Sequence, residues 1–135
     1  MYIILKSGGE KDSMKKIGIL TCARSNDVCA RVGCLKAFNN RTDFFECYDS
    51  ETVLSAMMTC NGCEKDTTSS PRNTAGIIEK IERLCKEEIT VVHIGVCRKH
   101  NGKECARITE IAELLKEKIL QSYAEPIKSI NYVLK

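Results

Sequence analysis

Ile89-Thr-Val-Val-His-Ile-Gly-Val-Cys97 is β-branched and nearly all apolar. A run of this kind is expected of a strand buried on both faces, as in a parallel sheet. It ends on a cysteine. So do Ile17-Gly-Ile-Leu-Thr-Cys22 and Val53-Leu-Ser-Ala-Met-Met-Thr-Cys60. If these runs are neighbouring parallel strands, thiols from distant parts of the chain arrive at one edge of one sheet. Ligand sites in open α/β sheets lie outside the carboxyl ends of the strands. Cys22, Cys60 and Cys97 fall at those ends.

Helical periods separate the runs. Residues 15–22 read as a first strand. Ser25-Asn-Asp27 supplies turn and N-cap chemistry. A helix is expected from about Val28 to Phe38, with Val28, Val32 and Leu35 on one face and Asn39-Asn40 closing it. Phe44, Phe45 and Tyr48 then decorate a loop and pack beneath it. Residues 53–59 form a second strand, followed by a polar loop from Glu64 to Asn73. A second helix is expected from about Thr74 to Glu87. Its apolar face is Ile77, Ile78, Ile81, Leu84 and Cys85, and Glu79 with Arg83 makes an outward i,i+4 pair. The third strand covers Ile89 to Val96. A basic loop leads to Cys105, and a third helix carries Ile108, Ile111, Ala112, Leu115 and Ile119 on one stripe. Pro126 stops it, and residues 127–134 fit a fourth, edge strand. The alternation predicts an α/β fold: three layers, a mostly parallel sheet of about four strands, and helices on both faces.

A chain of 135 residues reads as one domain with a core of its own. Residues 1–13 stand apart as an N-terminal extension, because Ser7–Ser13 is a polar linker and Met14 opens a natural strand. The single α/β domain then covers 14–135. The competing reading has Tyr2–Leu5 adding an edge strand. Met1-Tyr-Ile-Ile-Leu5 is too short for a signal peptide and lacks a preceding basic residue. No apolar stretch approaches membrane-spanning length. The expected location is the cytoplasm, where thiols stay reduced. The odd count of nine cysteines also argues against a fully paired disulfide framework. A net charge of +3, with acids and bases interspersed and no Trp, gives no footprint for nucleic acid.

The sharpest local motif is Cys60-Asn-Gly-Cys63. Asn61 and Gly62 tolerate the left-handed turn that folds two thiols toward one ion. One such pair is half a zinc site, so the other ligands must come from other loops. Cys22 and Cys97 lead, followed by Cys29, Cys34 and Cys105. Cys105 begins a helix, where the dipole lowers a thiol pKa. Cys34 reads equally well as a small buried hydrophobe. Cys85 belongs to the core stripe, His93 is a satisfied core histidine, and His100 is an exposed loop histidine within reach of the cluster. Other chemistries fail on spacing. A low-molecular-weight phosphatase places a cysteine at the end of its first strand but needs an arginine six residues on, where this chain has Val28. Walker and dinucleotide loops are absent. A thioredoxin-type site would run from Cys63 directly into a helix, and polar residues intervene here.

Thr21-Cys-Ala-Arg-Ser-Asn26, Val32-Gly-Cys-Leu-Lys-Ala-Phe38, Thr59-Cys-Asn-Gly-Cys63 and Val92-His-Ile-Gly-Val-Cys97 with Cys105 together resemble the CGGC domain family. The resemblance covers about residues 14–120, with Asn61 in place of the signature's first glycine. It implies a metal-binding protein, with zinc usually suggested, and supports Cys60, Cys63, Cys22 and Cys97 as site residues. It implies no reaction. The first expectation is thus a cytoplasmic protein whose partner is a metal ion: zinc, or alternatively an iron–sulfur cluster, held by thiolates. The second is a thiol–disulfide or persulfide enzyme using the same cysteines. A flavin- or nucleotide-binding module is a weaker third.

Overall fold

The computed structural model describes residues 2–6, 16–61, 70–122 and 129–133. Five strands form one sheet. In chain order they are β1 (Tyr2–Lys6), β2 (Lys16–Thr21), β3 (Val53–Thr59), β4 (Val91–Ile94) and, last in the chain, β7 (Ser129–Val133), arranged β3-β2-β4-β1-β7. β2 pairs in parallel with both β3 and β4. β1 runs antiparallel to β4 on one side and β7 on the other. The sheet therefore has five strands rather than about four. The additional one comes from the stretch read as an extension, where Ile3 pairs with Val92 and Tyr132. A separate two-stranded ribbon, β5 (Lys99–His100) with β6 (Lys103–Glu104), occupies the basic loop.

Alternation along the strands sends side chains into different clusters. Ile17 and Ile19 of β2 and Val91 of β4 join Phe38 and Phe45. Leu20, Val92 and Ile94 join the stripe of α2 (Ala75–Lys86) and α3 (Ala106–Ser122). That second cluster buries Ile77, Ile81 and Leu84 with Ile108, Ile111, Ala112, Leu115 and Ile119, as their helical spacing predicts. β4 is buried at every position, as its composition requires. Among the described residues no helix is long and apolar enough to cross a membrane.

Two elements differ from the sequence reading. The first helix, α1, is Val32–Asn40, not 28–38. Residues Ala23–Asp27 take a 3₁₀ turn, and Arg31 sits at φ 64° before helical geometry begins. The register changes as a result. Phe38 is buried and Cys34 and Ala37 pack beside it, while Val28 is 92 % exposed and Val32 66 %. The third strand ends at Ile94, because Gly95 leaves it and Val96–Arg98 winds into a 3₁₀ turn.

The chain leaves β2 toward β3 through α1 and returns from β3 to β4, on the far side of β2, through α2. The winding reverses beside the carboxyl end of β2. Sheets of this kind open a crevice at such a reversal, and Cys22 follows that strand end.

Candidate thiol site

Cys22 is the first residue past β2, Cys60 the first past β3, and Cys97 lies in the turn after β4. The strands hold these ends in register: Thr21 pairs with Thr59, and Leu20 with Ile94. The Cys60 amide donates to the Thr21 carbonyl at 3.2 Å, and the Gly95 amide to the Leu20 carbonyl at 2.9 Å. These bonds carry the pairing one residue beyond the sheet and bring the three cysteines together.

The 3₁₀ turn after β2 turns its backbone donors toward the sulfurs. The Cys22 amide donates to Cys97 Sγ at 3.2 Å, and the Ala23 amide to Cys60 Sγ at 3.4 Å. The Arg24 and Ser25 amides lie near enough to bear on the charge of the Cys22 sulfur, while the Ser25 amide donates to the Cys22 carbonyl at 3.1 Å. Successive amides pointing into one concavity form an anion-binding nest, and here sulfur occupies it. All three cysteines are unbridged thiols; Cys22 and Cys60 are buried and Cys97 is half-buried. Burial pushes the Cys22 thiol above its usual pKa. The Arg24 and Ser25 amides oppose that shift, and the Cys60 and Cys97 sulfurs reinforce it.

A nitrogen donor lies beside the sulfurs. His100 Nε2 is 3.7 Å from Cys22 Sγ. His100 is carried by β5, which brings it to the residue that follows β2. On the other flank Lys80 of α2 donates to the Thr59 carbonyl at 3.0 Å and to the Asn61 side chain. Burial lowers the Lys80 pKa, and the neighbouring Cys60 sulfur works against that. Asn61 adopts φ 65°, the left-handed turn expected from its residue type.

The remaining candidates are placed differently. Cys29 is exposed on the loop before α1, where its sulfur accepts from the Arg31 amide at 3.4 Å. That bond, with the Arg31 side chain, lowers its pKa. Cys34 packs against the Phe38 cluster; burial raises its pKa first, then the nearby Cys97 and Cys29. Cys105 sits half-buried just before α3, its amide bonded to the Arg98 carbonyl at 2.9 Å. Cys85 packs on the α2 side of the core. His93 is buried against Phe45, ring centroids 4.5 Å apart, with its Nε2 2.7 Å from the Tyr48 hydroxyl. Cys63 lies outside the described residues.

Sequence reasoning missed two arginines. Arg31 braces the loop after β2, donating to Thr21 Oγ1 at 3.1 Å, to the Cys29 carbonyl at 2.8 Å and to Asn26. Arg98 is buried beside Cys97. Nothing in a basic loop distinguishes a buried arginine from a solvated one, so no sequence signal marked it.

The donors fit a soft or borderline cation in kind, being thiols with an imidazole alongside. Among the described residues, no group of three or more His, Cys, Asp or Glu side chains already stands in coordinating geometry. Compared with known proteins, the chain matches the family model described as the CGGC domain over residues 16–125. No curated protein and no solved structure matches it.

Proposed function

The chain belongs to the CGGC domain family, a metal-binding assignment at family level, and on that premise we propose that Cys22, Cys60 and Cys97 bind zinc in the cytoplasm. His100 stands beside them as the nitrogen donor, and Cys63 is the further thiol that the Cys-x-x-Cys spacing offers. The amide nest after β2 carries this reading. Amides donating to sulfur work toward the thiolate, at Cys22 against the burial that raises its pKa, and the thiolate is the form that ligates. A metal here would supply charge neutralisation for clustered thiolates and a cross-link between three strand ends. The chain's own part is to hold the sulfurs together and to exclude solvent from Cys22 and Cys60.

The test is elemental analysis of protein purified anaerobically under reducing conditions. Wild type is expected to retain about one equivalent of zinc, matching a single thiolate-rich site. Cys22→Ser, Cys60→Ser and Cys97→Ser should each lose it. Brown protein containing iron and sulfide would replace zinc with a cluster on the same residues. Metal-free protein that instead forms a Cys22–Cys97 or Cys22–Cys60 disulfide on mild oxidation would replace the metal reading with thiol–disulfide exchange.

A further inference from the structure

Arg98 is a charged side chain only 2 % exposed, at the carboxyl end of β4. A guanidinium in such a place destabilises the fold unless its charge and its donors are matched. Here they are. Nη1 donates to the Ile94 and Gly95 carbonyls at 3.4 and 3.2 Å. Nε and Nη2 both reach Glu104 Oε1 at 3.2 Å. The backbone of Arg98 is tied as well: its amide donates to the Gly95 carbonyl at 3.1 Å, and its carbonyl accepts from the Cys105 amide at 2.9 Å.

These bonds grip both sides of the thiol site. Ile94 and Gly95 lead into the turn that carries Cys97. Glu104 lies opposite Lys99 in the ribbon, as His100 lies opposite Lys103. Fixing Glu104 therefore fixes the hairpin that brings His100 to Cys22. The Arg98 guanidinium also holds the Glu104 carboxyl below the usual carboxylate range.

We propose that Arg98 and Glu104 are a positioning pair, one clamp that seats the Cys97 sulfur under the Cys22 amide and holds His100 beside the Cys22 sulfur. Neither residue is a donor to the bound ion. The consequence for metal affinity rests on the zinc reading above; the seating of Cys97 does not. Lysine would keep the charge but lose the planar fork that reaches two carbonyls and a carboxylate at once.

The experiment uses the full chain, reduced and metal-free. Alkylation of Cys97 by iodoacetamide is followed by mass spectrometry, with Cys85 as the internal reference. Glu104→Gln and Arg98→Lys are expected to speed Cys97 modification relative to Cys85 by about tenfold, the scale of one charge-assisted hydrogen bond. General loosening would speed both cysteines alike, so equal acceleration would overturn the clamp. An unchanged Cys97 rate in folded Glu104→Gln would overturn it too, and that variant decides the matter if Arg98→Lys does not fold. Zinc titration is the second arm. Affinity should fall by about tenfold to a hundredfold, as for other residues that orient ligands. If wild type itself takes up no zinc, the metal reading fails while the alkylation contrast still decides the clamp.

Discussion

The Cys22 amide donates to the sulfur of Cys97, 75 positions away in sequence, at 3.2 Å. Gly95 makes that contact possible. A Cβ built on Gly95 would stand 3.0 Å from Cys97 Sγ and 3.6 Å from the Leu20 carbonyl oxygen. The Gly95 backbone itself is ordinary, at φ −62°, so alanine brings no conformational strain there. Gly95→Ala is therefore expected to displace the Cys97 sulfur while leaving the fold intact. Zinc affinity should drop by about tenfold, the lower end of the cost of misorienting a ligand. Competition with a chromophoric chelator measures it, and thermal melts show whether the fold is unchanged. Wild-type affinity in this variant would mean that Cys97 does not ligate.

His93 carries a pH prediction. Burial holds its pKa down, from 6.5 to about 4, and its ring packs among Phe45 and Tyr48. The folded state then binds fewer protons at this site than the unfolded state between those two values. The contribution is fully present above pH 6.5 and is lost as pH falls toward 4. In full it is on the order of 3 kcal/mol. Urea melts of wild type and His93→Gln at pH 7 and pH 4.5 check it. Wild type should lose more stability across that interval than the variant, and parallel losses would show that His93 titrates normally.

Much of this architecture was legible because periodicity reports burial directly. The stripe Ile108, Ile111, Ala112, Leu115, Ile119 could face only a core, and it does. β3 has the bounds its apolar run predicts. The first helix was misplaced because Val28, Val32 and Leu35 mimic a helical stripe while lying outside the core. What delays the helix is a 3₁₀ turn and the left-handed Arg31. That turn is closed by local bonds between Ser25 and Cys22, and its first two amides, of Cys22 and Ala23, are anchored on sulfurs that follow other strands, an anchoring that local sequence does not encode. The meeting of Cys22, Cys60 and Cys97 was readable, since each follows the end of a strand. His100, in the loop after the third strand, was within reach of the cluster on sequence grounds, and it stands beside Cys22; the burial of Arg98 was not readable, because nothing in a basic loop marks which arginine the ribbon covers.

The chain's start allows a direct test. β1 lies between β4 and β7 and bonds to both. Removing residues 1–13 would leave the edge of β4 unpaired and β7 without its neighbour. The melting temperature is expected to fall by roughly 4 °C or more, the shift that about 1 kcal/mol produces in a domain of this size. An unchanged melting temperature would mean that the domain is complete from Met14 and that residues 2–6 contribute no net stability.

Cys85 separates core sulfur from site sulfur. It lies in α2 and packs beside Ile81 and Leu84 in the cluster shared with α3. Cys22 and Cys60 belong to the same apolar cluster, so burial alone does not tell the three apart. What does is the amide nest, which bears on the sulfurs of Cys22, Cys60 and Cys97. Cys85→Ala deletes one partly buried sulfur and should cost about 1 kcal/mol, typical of a small core truncation. Zinc content and affinity should stay at wild-type values. Cys60→Ala removes a comparable volume and should abolish metal retention. Equal metal loss in both variants would show that the metal depends on general packing, and the three cysteines at the strand ends would lose their claim to be its ligands.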